Sequence, residues 1–397
     1  MNRLEAYKEV VPPGTIEFLM LLAEKVRGKR ILEINSTQVG GGVAEMLQSL
    51  VPLFREIGLE CAWEVITGTE EFFNVTKSFH NALQGREQNI SPQMLQTYLE
   101  INRENAGRLS LDADYVIIHD PQPAALIENR KSGGKWIWRC HIDISSPQLK
   151  AWNFLRQFVV KYDTAIFSLP GFARKLPIPQ FLIYPSIDPL SDKNRELSSE
   201  EQSRILGKLN IPLDKPILLQ VSRFDRFKDP LGVIQAYRLA KKHHDVRLIL
   251  AGGSATDDPE GEVVLSEVRT AAQNDPDIII LMLPPDAHLE INALQRAATI
   301  VLQKSLKEGF GLTVTEAMWK GKPVIGGFAG GITVQLVYGV TGFSVYSVEG
   351  AALRIHSLLD NPALRTKMGE DAREYVRRNF LITRNLGNYL ALMAYLG

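Results

Sequence analysis

Ile300-Val301-Leu302-Gln303, then Lys304-Ser305-Leu306, then Lys307-Glu308-Gly309-Phe310-Gly311-Leu312-Thr313-Val314-Thr315-Glu316-Ala317-Met318 is the stretch on which the reading turns. The short β-branched run reads as a buried strand and Leu312 onward as the opening of a helix. Between them, Gly309 and Gly311 permit a tight turn that exposes N–H groups beside the positive end of a helix dipole. That arrangement can cradle phosphate without the lysine-dependent loop of P-loop proteins. Glu316 is placed to accept hydrogen bonds from ribose hydroxyls, and Glu308 to do the same for a donor sugar. Taken singly, either glutamate is better read as solvated. Strand end, glycines and helix start together favour a site.

Outward from this stretch the same alternation fills the chain, as in parallel α/β units. The second half offers strands at Ile217–Ser222, Arg247–Ala251, Ile278–Leu283, Ile300–Gln303, Pro323–Ile325 and Phe343–Val345. The first half offers Arg30–Asn35, Ala62–Ile66, Tyr115–His119, Trp136–His141, Thr164–Ser168 and Phe181–Tyr184. Helical spacing marks Val43–Ile57, Ala351–Leu359, Pro362–Arg378 and the final segment Thr383–Leu396. The polar stretch Ser186–Asp214, broken by Pro189 and Pro212, is the best boundary. We therefore expect two doubly wound sheets: residues 1–187, completed by a C-terminal helix at 380–397, and residues 188–379. Ligands of such sheets sit outside the carboxyl ends of the strands, so a cleft between two facing sheets is the expected site.

Composition narrows the functions. The 397 residues carry 45 Lys+Arg and 45 Asp+Glu, so no global field draws nucleic acid or an acidic membrane. An anionic ligand has to be held by a local cluster. Two cysteines, Cys61 and Cys140, without a Cys/His array, argue against a disulfide framework or a zinc site. No apolar run approaches the ~20 residues of a membrane span, and Met1–Tyr7 has no signal core. The chain reads as cytoplasmic.

Further motifs fall at predicted strand ends. Ser222-Arg223-Phe224-Asp225-Arg226-Phe227-Lys228-Asp229 offers Arg223 as a planar fork and Lys228 as a point charge for a departing diphosphate, or else a basic loop neutralised by Asp225 and Asp229. Ser36–Gly42 is a glycine-rich strand–turn–helix lacking the GxGxxG spacing, so a nicotinamide cofactor is not indicated. Gly40, Gly41 and Gly42 permit close approach of a ligand, or simply a turn. His119-Asp120 and His141-Ile142-Asp143 end two strands of one sheet, and Asp120 and His141 are the choices for hydrogen-bonding a polyol. Asp112-Ala113-Asp114 and Asp275-Pro276-Asp277 resemble metal-binding pairs, but they precede strands and read as solvated turns. Gly252-Gly253 and Leu283–His288 are further loops at strand ends. His243-His244 reads as an exposed helix end.

These second-half motifs resemble the retaining glycosyltransferases of GT-B fold, in the large family that contains sucrose and trehalose synthases. The marks are Glu308 and Glu316 in a Glu-x7-Glu element, the pair Arg223 and Lys228, and the glycine turn at 40–42. A narrower similarity, to trehalose glycosyltransferring synthases, runs through Asn35-Ser36-Thr37, Gly40–Glu45, Phe72–Lys77, Phe79–Gly85, His119–Leu126, Trp138–Asp143 and Glu308–Ile325. Fungal trehalose phosphorylases look related in the first half. Tyr338, where an acidic residue is common, and Phe227, where Trp is frequent, depart from the pattern.

The resemblance implies two facing Rossmann-like domains and transfer of glucose from UDP-, ADP- or GDP-glucose to glucose, giving α,α-trehalose with retention. It implies no required cofactor and no metal, with NDP-glucose, glucose and trehalose as the partners; a homodimer stays open. Arg223, Lys228, Glu308 and His141 would be catalytic. Gly41, Gly42, Arg223, Lys228, Glu308, Gly309, Phe310, Gly311, Leu312, Thr313 and Glu316 would meet the donor, and Asp120, His141 and Gly40 the acceptor. Trehalose phosphorolysis, another acceptor, a hydrolysing nucleotide-sugar epimerase and a non-catalytic sugar-nucleotide sensor are the rivals.

Overall fold

Apolar runs such as Tyr115-Val116-Ile117-Ile118 and Ile217-Leu218-Leu219 are buried along their whole length, as strands flanked by helices on both faces must be. The computed structural model describes residues 3–39, 41–131, 133–253 and 259–397. It divides into two units, Met1–Pro185 with Ile382–Gly397, and Ser186–Leu381.

The first unit opens with α1 (Arg3–Tyr7), α2 (Thr15–Lys25), β1 (Arg30–Asn35), α3 (Gly42–Glu56), β2 (Glu60–Val65), α4 (Glu70–Leu83) and α5 (Pro92–Arg108). Its remaining strands are β3 (Tyr115–His119), β4 (Lys135–Cys140), β5 (Thr164–Phe167) and β6 (Gln180–Leu182), with α6 (Leu149–Val159) between β4 and β5. The second unit runs α7 (Ser199–Lys208), β7 (Ile217–Val221), α8 (Pro230–Lys241), β8 (Arg247–Gly252), α9 (Pro259–Ala272), β9 (Ile278–Met282) and α10 (His288–Ala297). It continues through β10 (Ile300–Gln303), α11 (Leu312–Trp319), β11 (Val324–Gly327), α12 (Ile332–Gln335), β12 (Gly342–Val345), α13 (Val348–Asp360) and α14 (Pro362–Asn379). Then α15 (Ile382–Leu396) returns to the first unit.

Helix starts follow local chemistry. Thr69, Ser91, Ser198 and Ser347 each accept a hydrogen bond from the backbone three residues on, and Pro92, Pro230 and Pro362 stand at first positions. Each predicted strand segment is found, with ends moved by one or two residues.

Both sheets have six parallel strands, ordered β2-β1-β3-β4-β5-β6 and β12-β11-β10-β7-β8-β9. The strand order reverses between β1 and β3 in one and between β7 and β10 in the other. Those are the topological switch points, where open α/β sheets hold their ligands.

α15 completes the first core. Leu386, Leu390 and Met393 are buried, Tyr389 meets Phe54 edge-on at 6.3 Å, and Tyr115 Oη donates to the Met393 carbonyl at 2.8 Å. Gly387 leaves room for Leu19 of α2, whose methyl would lie 3.2 Å from an added Cβ. In the second unit Leu218, Leu248, Leu250, Ile300 and Leu302 pack against Tyr237 of α8 and Ile355 of α13. The division between the units lies at the start of the polar stretch, and that stretch is anchored on the second unit: Asn292 Nδ2 donates to the carbonyls of Asp192 (2.8 Å) and Arg195 (2.9 Å).

Candidate active site

At the switch point of the second unit, the turn after β7 and the turn after β10 are bonded to each other. Gln220 Nε2 donates to the Lys228 carbonyl at 2.7 Å, and the Leu306 N–H to the Phe227 carbonyl at 2.8 Å. Asp225 starts a short 3-10 turn over Arg226–Lys228 by accepting from the Phe227 N–H at 2.7 Å. Asp229, at φ +50°, caps α8 and pairs with the Lys304 ammonium. These contacts bring Lys228 Nζ to 2.6 Å from Glu308 Oε2, which also accepts from Ser305 Oγ at 3.1 Å. The pair is largely buried. Sequence reasoning assigned Lys228 to a diphosphate and Glu308 to a sugar; the structure joins them in one ion pair. Arg223 lies apart from it, more than half exposed, with the Asp225 carboxylate at 3.6 Å.

Glu308 precedes α11 instead of lying on it, and Gly311, at φ +82°, caps the helix. Gln335 of α12 braces the turn: its Nε2 donates to the carbonyls of Phe310 (2.6 Å) and Gly331 (3.1 Å), and its Oε1 accepts from Thr315 Oγ1 at 2.6 Å. The Phe310 ring turns inward against Phe380, so only its backbone is available to a ligand. Leu312 and Thr313 form the partly exposed first turn of α11. Glu316 is buried, with Lys193 Nζ at 3.1 Å and Gln295 Nε2 at 3.5 Å. Behind it, Lys320 Nζ donates to Asn194 Oδ1 (3.0 Å) and the Glu316 carbonyl (3.3 Å), and burial pulls its ammonium down to about 7. Ser305, Gln335, Lys193 and Lys320 carry no sequence pattern that would have marked them.

In the first unit, β1, β3 and β4 end together. Gly41, at φ +83°, caps α3, with Gly42 as that helix's first residue; Gly40 lies outside the described residues. Asp120, at φ +65°, accepts the His141 N–H at 2.7 Å, while its own N–H donates to the Arg139 carbonyl at 2.7 Å. Burial pushes its carboxyl up to about 6, against the opposing pull of the His141 N–H, His119 and Arg139. His141 follows β4 instead of ending it, and burial, then Arg139 and His119, hold its imidazole well below the usual value. Its Nε2 lies 2.8 Å from His119 Nδ1, and His119 Nε2 lies 2.7 Å from Glu33 Oε2. Glu33 is fully buried inside β1. A charge in the middle of Ile31-Leu32-Glu33-Ile34 was the signal available for it.

Asp112 is exposed, as the solvated reading expected, but Asp114, Asp275 and Asp277 depart from that reading because cations pair with them. Asp114 accepts from the Arg30 N–H at 2.8 Å and pairs with Lys29; Asp277 is buried between Lys215, Lys241 and Arg247. Among the described residues no group of three or more His, Cys, Asp or Glu is arranged to hold a metal ion, and no helix is long and apolar enough to cross a membrane. Gly252 closes β8, and a Cβ there would sit 1.8 Å from the Ser222 carbonyl, so packing alone accounts for it. Leu283 donates its N–H back to that glycine's carbonyl at 2.8 Å, and His243 and His244 gather with His356 away from both switch points.

Profiles described as "Trehalose synthase, N-terminal domain" and "Glycosyl transferases group 1" match residues 33–174 and 201–375. A trehalose synthase from Pyrococcus horikoshii is 48% identical over 402 residues, covering 100% of this chain and 97% of that protein. The chain belongs to the trehalose synthase family of GT-B glycosyltransferases. Within that family the twin sheets are the expected scaffold and sugar transfer the class of reaction. A trehalose phosphorylase from Pleurotus pulmonarius is 28% identical over 95% of the chain, though over only 58% of that longer protein. The structure of an α,α-trehalose-phosphate synthase (UDP-forming) from Burkholderia xenovorans, in complex with glucose-6-phosphate, superposes with a TM-score of 0.75 at 13% identity, covering 92% of this chain and 100% of that one. At that identity the likeness extends to the fold.

Proposed function

We propose that this family member transfers glucose from a nucleoside-diphosphate-glucose to glucose, forming α,α-trehalose with retention at the donor carbon. The observation that supports it most is the Lys228–Glu308 pair beside the Gly309–Gly311 turn, at the switch point where a phosphate-bearing ligand is expected. In this reading the donor C1–O bond to the diphosphate breaks while the acceptor's anomeric oxygen bonds to C1 on the same face. The acceptor's proton passes to the departing phosphate oxygen. Arg223, Lys228 and the amides of Gly309–Thr313 stabilise the charge that develops there. Glu308 orients the donor sugar and holds the Lys228 ammonium in place. Glu316 serves the ribose by exchanging the Lys193 contact for hydroxyls. His141 hydrogen-bonds the donor sugar near C1. Asp120 and the glycine turn at 41–42 position the sugars.

Incubation with UDP-, ADP- and GDP-glucose plus glucose, with the product linkage read by NMR, tests this. A 1,1-linked α,α-disaccharide and free nucleoside diphosphate are expected. Phosphorolysis is the second reading, favoured by the similarity to the fungal phosphorylase along 95% of the chain. Calorimetry separates the two: nucleotide binding supports transfer, whereas phosphate-dependent cleavage of trehalose without nucleotide binding replaces it.

A further inference from the structure

The three side chains Glu33, His119 and His141 form a single line of hydrogen bonds through the carboxyl ends of β1, β3 and β4. The His119 and His141 ring centroids are 5.1 Å apart with planes 16° from parallel, and their nearest nitrogens are 2.8 Å apart. The difference between the two distances matches the two ring radii added together, the largest value that geometry allows. The nitrogens therefore lie between the centroids, and the contact is an in-plane N–H···N bond instead of a face-to-face stack. Glu33 and His119 are buried to within 1% of completely, while His141 is partly exposed.

Direction along the line follows from donor and acceptor chemistry. Arg139 is a fully buried, permanently charged guanidinium on β4, and the fields of Glu33 and Asp120 act on it. Tyr389 of α15 and Cys140 of β4 also face this cluster, and burial drives both upward, so they stay neutral. A carboxylate only accepts, so His119 carries its hydrogen on Nε2 and presents the bare Nδ1 to its neighbour. His141 must then carry its hydrogen on Nε2 and leave Nδ1 bare. No described residue hydrogen-bonds that last nitrogen, and desolvation together with the nearby Arg139 and His119 lowers the basicity of the ring, which keeps it unprotonated.

We propose that Glu33 is a positioning residue for sugar transfer: through His119 it fixes the tautomer of His141, so that His141 Nδ1 accepts a hydrogen bond from a sugar hydroxyl. This rests on the reading above that His141 meets the sugar. With the opposite tautomer His141 would present a donor, and a hydroxyl would have to turn its lone pair inward.

The tautomer is readable without any substrate. Long-range ¹H–¹⁵N spectra of histidine-labelled protein, with the signal assigned by His141→Asn, are expected to show His141 protonated at Nε2 and bare at Nδ1. In Glu33→Gln the side-chain amide can donate or accept, so both tautomers of His141 are expected. In the same variant kcat should fall on the order of 10–100-fold, the scale seen when the partner that fixes a histidine's tautomer is lost. Nucleotide affinity should stay within about threefold of wild type, under 1 kcal/mol, and Glu33→Asp should recover part of the rate. A wild-type His141 protonated at Nδ1, or a Glu33→Gln variant with unchanged tautomer and rate, overturns the proposal. If Glu33→Gln does not fold, His119→Asn cuts the same line, and the wild-type spectrum still decides the direction. Should the spectra come out as expected while no donor yields trehalose, the assigned reaction fails and the hydrogen-bond line stands.

Discussion

Removing the carboxylate of Glu308 leaves Lys228 without its ion-pair partner but still in partial contact with solvent, so the variant should fold. Glu308→Ala should reduce transfer by about 100-fold or more, as when a group aimed at transition-state charge is lost. Its nucleotide affinity should change little, and calorimetry beside steady-state kinetics checks both. Loss of nucleotide binding alone would assign Glu308 to the wrong part of the donor. Asp120 gives a pH signature. Its folded value near 6 lies above the ordinary 3.8, so between those values the folded chain holds a proton that the unfolded chain has released. Stability from this group is therefore greatest at low pH and falls as pH rises through that window. The ionised form is the better acceptor for the His141 N–H, so kcat/KM should drop below about pH 6, and the limb should flatten in Asp120→Asn, whose amide oxygen still accepts. Lys320 has the opposite shift: at about 7 in the folded chain against 10.5 unfolded, it makes stability rise with pH between those values. The melting temperature of wild type should rise relative to that of Lys320→Met across that range. Glu308, Arg223, Lys228 and Glu316 could be singled out as candidates because they sit at fixed offsets from strand ends and glycines. Lys320 was not, since a lysine after a helix reads as solvent-facing until tertiary packing buries it.

Elements carry the next set of consequences. Gly330, at φ +45°, presses the chain after β11 so close to the turn after β10 that a Cβ would fall 1.7 Å from the Glu308 carbonyl, and the Gly331 N–H donates to the Gly309 carbonyl at 2.8 Å. Gln335 then binds the same turn from α12. Gln335→Leu keeps the bulk but removes the donor to the Phe310 and Gly331 carbonyls and the acceptor for the Thr315 hydroxyl, at about 1–3 kcal/mol for a buried group left unsatisfied. We expect a lower melting temperature together with a loss of transfer exceeding the loss of nucleotide binding. Strands were the most legible elements, because apolar runs buried on both faces have few other readings. The brace was invisible: a glutamine in Ile332-Thr333-Val334-Gln335 has no periodic signal, and its partners are main-chain carbonyls that every residue possesses. Glu33 lies between these cases. Its position inside an apolar strand was visible, but its partner lies 86 residues along the chain, at His119.

At the scale of the molecule, the two units differ in continuity. The second is one segment, Ser186–Leu381, whereas the first needs α15 from beyond it. Truncation after Leu381 should leave a cooperative thermal transition and nucleotide binding from the second unit. It should abolish the transition of the first, because Leu19 and Phe54 lose the helix that covers them. Calorimetric scanning of the truncated protein beside the full chain measures this, and an unaltered first-unit transition would show that α15 is dispensable. The returning helix and the unit it joins were expected, from its apolar spacing and from the family resemblance; the side chains it meets, Leu19 and Phe54, were not, since no local pattern states which residues an amphipathic helix will cover.

That return also sets an order in time. A ribosome delivers the first unit's sheet early and α15 only after every strand of the second unit has emerged. The unit translated first is thus the one finished last, with Phe54 and its neighbours uncovered meanwhile. During synthesis this protein presents an incomplete apolar core that chaperones can hold, and slowing translation between Leu381 and Leu396 should lengthen its exposure without changing the native state.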